Sequence, residues 1–133
     1  MDQSLVRIAE KCRDGAEGNA MTFPEIVATL MASGFEGYSI DFRRERATYY
    51  AEDGESVELP IHKIGVAVAP VFNAAIMREA ISEAQRLAPG YTYVGFCDKA
   101  AAAGCAGYMV SFSGRRVLYF GRTAEIHVEM FPN

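Results

Sequence analysis

The sequence predicts an α+β fold in which a helix-helix-strand-strand-strand unit occurs twice. The simplest packing is one largely antiparallel sheet with helices on one face and an approximate two-fold between the units. Three observations carry this. First, the chain repeats itself: ASGFEGYSIDF at 32–42 returns as AAGCAGYMVSF at 102–112, 70 positions later. Seven ungapped identities link 23–50 to 93–120, namely Ala32/Ala102, Gly34/Gly104, Gly37/Gly107, Tyr38/Tyr108, Phe42/Phe112, Arg46/Arg116 and Tyr49/Tyr119. Self-similarity at a fixed interval constrains architecture before any residue is read for chemistry. Second, apolar residues ahead of each copy recur at helical spacing. Third, inside each copy they alternate with a period of two. Two small sheets meeting along the pseudo-axis are the competing arrangement.

The first element is a short helix over about 3–14, with Leu5, Ile8, Ala9 and Cys12 on one stripe and Gly15 and Gly18 ending it. The second starts at Thr22, three residues before Glu25, which is the spacing of a capping box, and Pro24 is tolerated in that first turn. Phe23, Ile26, Val27, Leu30 and Met31 form its apolar stripe, and Gly34 closes it. Residues 38–42 alternate as a strand, 43–46 turn, and 47–52 return. With Arg44 and Glu45 central in the turn, Phe42 faces Ala47 and Ile40 faces Tyr49. The tyrosines and Ile40 then share one face, and Ser39, Asp41, Arg46 and Thr48 the other, as in a sheet with one wet side. Asp53-Gly54 turns the chain into a short strand at 57–59.

Residues 61–70 connect the units, with Val66 and Val68 suggesting an extended crossing. A long helix is expected from about 71 to 88, stopped by Pro89-Gly90. The second copy begins at Thr92: a helix to Ala103, a strand at 108–112, a turn with Gly114 suited to type II′, a return strand at 117–121, and a last strand at 125–131. After small length changes the units close alike, SVELP at 56–60 matching HVEMFP at 127–132, so Glu58 and Glu129 read as counterparts. The organisation is therefore a single domain, 1–133, of two repeats at about 1–60 and 71–133, with 61–70 between them.

At 133 residues the chain is long enough to bury a core without staples. Its formal charge of −4 argues against a general nucleic-acid binder, whose footprint is basic. Three cysteines without CxxC spacing make neither a disulfide framework nor a zinc site, and fit a reduced, cytoplasmic protein. The amphipathic start is interrupted by charge, unlike a signal peptide, and no apolar run is long enough for a membrane span.

The run AAAAGC, then GY, then VLYFGR, then terminal HVEMFP resembles a bacterial and prophage family of unknown function whose members are labelled "phage envelope protein" or YdfO-like. The resemblance is clearest over 91–132. It implies a bacterial or phage-related origin and an α+β fold, and brings no catalytic residue or cofactor with it.

Candidate sites follow from the repeat. Tyr38, Tyr108, Tyr49 and Tyr119, with Arg46 and Arg116, could line a small-molecule cleft between the units. The plainer reading of the rings is core, each hydroxyl finding one buried partner. The arginines at the two hairpin tips could grip phosphate, or simply be solvated turns that guard an edge. A Cys105–His127 pair could be nucleophile and base, but a buried thiol explains Cys105 better. Asp98 reads as surface. No phosphate loop, nucleophile elbow or metal-ligand motif occurs, so no catalytic residue, metal or cofactor is assigned. Met109, Leu118 and Phe120 break the pattern: they occupy the wet face, where the first unit has Ser39, Thr48 and Tyr50. An apolar wet face needs cover, from the chain's own helix or from another subunit. The reading is an uncharacterised interaction module acting without catalysis, its partner a second copy or another protein. The alternative is a small-molecule-binding protein or weak enzyme using the cleft.

Overall fold

Each helix opens on a polar side chain that takes up a free amide of the first turn. Asp2 caps α1 (Gln3–Glu17), Thr22 caps α2 (Phe23–Ala32), Asn73 caps α3 (Ala74–Gln85) and Thr92 caps α4 (Tyr93–Ala102). At α2 the capping box is complete: Glu25 N donates to Thr22 Oγ1 at 3.4 Å and Thr22 N to Glu25 Oε1 at 2.9 Å. These elements belong to a computed structural model that describes residues 1–132; Asn133, at the end of the expected domain, lies outside the described residues. Several boundaries differ from expectation; the long helix, for one, ends at Gln85 and is capped by Arg86, short of Pro89-Gly90. α1 runs through Gly15, whose missing side chain makes room for Met21, and stops at Gly18. α3 starts later than expected, because Asn73 accepts from Ile76 N at 3.0 Å and leaves Val71 and Phe72 outside.

The strands are β1 (Phe35–Asp41), β2 (Arg46–Ala51), β3 (Ser56–Pro60), β4 (Cys105–Ser111), β5 (Arg116–Gly121) and β6 (Ile126–Met130). They form one six-stranded antiparallel sheet in the order β3-β2-β1-β4-β5-β6. The pattern α1α2β1β2β3 is followed by α3α4β4β5β6. A single sheet replaces the competing two-sheet arrangement because β1 and β4 pair at its centre. In that pair Ser39 stands opposite Met109, its own counterpart, so the approximate two-fold passes between them. Gly37 and Gly107 permit this pairing: a Cβ there would lie 2.3 Å from Val110 O and 2.2 Å from Ile40 O respectively.

The hairpins differ in register from expectation. Ile40 pairs Ala47 and Tyr38 pairs Tyr49, two residues from the predicted partners, so each side chain keeps its face. The cause is a longer tip. Asp41 Oδ1 accepts from Arg43 N and Arg44 N, both at 3.0 Å, and winds the turn tighter. Ser111 Oγ accepts from Gly114 N likewise at 3.0 Å. The left-handed residues are therefore Glu45 and Arg115 rather than Gly114, and the type II′ reading does not hold.

The connector has no strand. It lies over α4: Asp98 Oδ1 accepts from Gly65 N at 2.8 Å, so Asp98 is an anchor rather than an idle surface group. Ala69 N and Asn73 N donate to Ala101 O and Ala103 O. The core lies between the helices and one sheet face, built on Leu30, Phe35, Ile40, Met77, Val110 and the paired tyrosines.

The interval of 70 persists to the end without a length change. Gly54 and Ala124 carry the positive φ of matching turns, at 95° and 66°. Thr48 pairs Glu58 and Leu118 pairs Val128, so Val128 is the counterpart of Glu58. The Glu58/Glu129 correspondence is thus off by one, and in a strand one residue changes the face. Glu58 is on the outer face with Arg46, 3.7 Å away. Glu129 is on the helix-side face, where β3 has Leu59.

Candidate functional site

The slip inverts β6. Its outer positions are Ile126, Val128 and Met130; its helix-side positions are His127 and Glu129. Two candidate sites result, one on each face of the sheet.

On the outer face a row of paired residues crosses all six strands: Glu58, Thr48, Ser39, Met109, Leu118, Val128. It is polar up to the two-fold and apolar beyond it. Phe120 and Ile126 form the adjoining apolar pair. Met109, Ile126 and Met130 are 51%, 57% and 51% exposed, so no helix of the chain covers this half. The sequence flagged Met109, Leu118 and Phe120. It missed the β6 residues because the alignment of HVEMFP had turned them inward.

On the other face a groove of about 590 Å³ lies between the helices and the sheet. Its lining includes two-fold pairs: Met21/Tyr91, Phe23/Tyr93, Ile26/Phe96, Tyr38/Tyr108, Tyr49/Tyr119 and Ile61/Phe131. The groove therefore lies about the axis. The four repeated tyrosines are buried at its floor. Tyr38 stacks on Tyr49 with centroids 5.3 Å apart, and Tyr108 tilts against Tyr119 at 5.5 Å. Tyr108 and Tyr93 share a hydrogen bond of 2.6 Å between hydroxyls. Arg46 and Arg116 do not join them. They pair with Pro60 and Met130 on the outer face, and Arg116 Nε donates to Gly114 O at 3.0 Å. Strand alternation places these arginines opposite the tyrosines.

Polar groups at the rim come from positions where the two units differ. Glu17 stands at the end of α1, and its counterpart in the second unit is Leu87. Its Oε2 accepts from His62 N at 2.9 Å and lies 3.1 Å from His62 Nδ1. Glu129 lies 3.0 Å from His127 Nε2, and Gln85 Nε2 donates to it at 3.2 Å. Arg13 also lines the groove, but it is held by Asp14 Oδ1 at 3.0 Å and by Pro60 O at 3.0 Å.

All three cysteines are free and buried, and burial raises each thiol, Cys12 included. Burial pushes Cys97 up to about 12 and Cys105 up to about 11, disfavouring the reactive thiolate. Cys105 Sγ donates to Gly107 O at 3.2 Å, while His127 is engaged with Glu129, so the suggested pair is not formed. Among the described residues, no group of three or more His, Cys, Asp or Glu could hold a metal ion. No described helix is long and apolar enough to cross a membrane.

The tyrosines give a pH prediction. Burial raises the phenols of Tyr38, Tyr93 and Tyr108 well above 10.0, and raises Tyr49, Tyr91 and Tyr119 as well. Above pH 10 the unfolded chain releases these protons and the folded chain retains them. Their contribution to stability is therefore complete below about pH 10 and falls as pH rises through the folded values. In a Tyr50→Phe background, tyrosinate absorbance should stay suppressed past pH 10, then rise in one cooperative step together with loss of circular dichroism. Smooth ionisation of these phenols with secondary structure intact would contradict the burial.

Fold and site define a class: one antiparallel sheet backed by two helical hairpins, with an aromatic groove about the axis between them. The chain belongs to the family described as protein of unknown function (DUF1398), whose model matches residues 11–129. No curated protein matches the sequence.

Proposed function

We propose that this protein is an interaction module that acts without catalysis, and that it docks a second copy of itself through the outer face of β4, β5 and β6. The observation that carries the reading is the change from polar to apolar at the two-fold along one row of paired residues. A sheet face of this kind associates with a like face by burying apolar area. β6 is also an edge strand with apolar outer residues, a feature that soluble monomers usually blunt. The resemblance to the YdfO-like family supports a bacterial or prophage origin, and three free cysteines support a cytoplasmic setting. The 70-residue interval supports tandem duplication, with repeats at about 1–60 and 71–133 joined by 61–70.

Met109 and Val128 are the cleanest probes, because both side chains are exposed. Phe120 is less clean, since its ring packs over Gly107. Met109→Lys and Val128→Lys should each weaken self-association by about tenfold or more, with the secondary structure of the folded chain unchanged. Light scattering over a concentration series reads this. A wild-type chain that stays monomeric at high micromolar concentration overturns the proposal.

A second reading has its own support: the groove has the size of a small-molecule site, typically about 300–1,000 Å³. Tyrosine emission is its readout, because six of the seven tyrosines line the groove and the chain has no tryptophan.

A further inference from the structure

We infer that the groove takes an organic cation with an apolar body, such as an aromatic or aliphatic quaternary ammonium. This rests on the small-molecule reading of the groove and specifies its ligand class. Six tyrosines line the groove, and an aromatic ring reached on its face attracts a cation. The rim adds carboxylates from two directions, Glu17 on α1 and Glu129 on β6. The one cationic side chain among the described lining residues, Arg13, is already held by Asp14 and the Pro60 carbonyl. The third lining carboxylate, Glu25, accepts from the amide of Thr22, as Glu17 does from that of His62, and adds to the same negative rim.

Two further features set Glu17 and Glu129 apart from ordinary surface charge. Each is the polar member of a two-fold pair whose other member is apolar, Leu87 for Glu17 and Leu59 for Glu129. The fold accommodates leucine at the matched places, so these charges are particular to the groove. Glu17 also ends α1, where the helix dipole disfavours an anion and favours a cation. Each carboxylate has a histidine beside it, His62 and His127, which fixes its orientation. An anionic ligand would meet both carboxylates without a free counter-charge.

The test uses three probes of similar size and different charge: benzyltrimethylammonium, its neutral isostere neopentylbenzene, and benzenesulfonate. Each is titrated into isotope-labelled full-length protein and followed by NMR. The cation should shift groove resonances and bind at least about tenfold more tightly than either other probe, equivalent to about 1.4 kcal/mol. Glu17→Gln and Glu129→Gln together should remove that preference while leaving neopentylbenzene binding unchanged. Both residues are partly exposed and glutamine preserves an accepting oxygen, so folding is retained. Sulfonate or neopentylbenzene binding as tightly as the cation overturns the ligand class and leaves the groove standing. Equal loss of all probes in the double variant also overturns it, since the carboxylates would then only shape the groove. Absence of any groove shift at millimolar probe overturns both the ligand class and the small-molecule reading.

Discussion

Gly104→Ala is expected to destabilise the fold by at least about 4 kcal/mol, while Gly34→Ala at the matched position costs only about 1–2 kcal/mol. Both glycines follow a helix and have φ of +93°, a conformation in which a side chain is strained. What separates them is the neighbourhood. A Cβ on Gly34 meets nothing within 4 Å. A Cβ on Gly104 would lie 2.0 Å from Val71 O and 2.6 Å from Val71 C, so backbone would have to move. Val71 is placed there because the connector crosses the end of α4, with Asn73 N donating to Ala103 O at 2.7 Å. A domain of this size has about 5–15 kcal/mol of stability in total, so the Gly104 variant should be largely unfolded at modest urea. Parallel urea titrations decide it. Equal costs at the two positions would mean that φ alone matters and that the connector yields.

Phe35→Ala should cost about 3–5 kcal/mol. Phe35 is the largest of the fully buried side chains, at 1% exposure, and packs edge-on to Tyr49 with centroids 6.3 Å apart. It sits at the irregularity between Phe35 and Gly37, at the start of β1. Cys105 holds the matched place in the second unit, fully buried but much smaller. Cys105→Ala should therefore cost only about 1 kcal/mol. The two units share a backbone and fill their cores with different volumes, so the pair measures where the packing energy resides. A Phe35→Ala loss below about 1.5 kcal/mol would show that neighbours collapse into the space. Urea midpoints at unchanged slope are the measurement.

Much of this architecture was legible because local chemistry and the repeat agreed. Thr22 and Glu25 announce a helix start through a hydrogen-bond exchange that needs no tertiary partner. Tyr38, Ile40, Ala47 and Tyr49 fall on one face for any even register, so their burial survived a two-residue error in pairing. The arginines were misgrouped with the tyrosines although alternation alone separates them. β6 failed for a different reason. Matching HVEMFP to SVELP scores similar letters, but only the conserved turn geometry at Gly54 and Ala124 reveals that the spacing never changes. That single position decides whether Glu129 faces the groove or solvent. The anchoring of Asp98 by the connector was likewise invisible, because it joins residues 33 positions apart.

By itself, then, the order of residues determined the elements, their repetition and the buried face of each hairpin, since these depend on caps, turns and periodicity within a few residues of one another. Only the tertiary structure decided that β1 meets β4 through their own counterparts, that a groove opens about that axis, and that β6 presents carboxylate inward and apolar side chains outward. Those outcomes depend on strand register and on contacts between segments far apart in the chain, and neither is encoded in any local pattern.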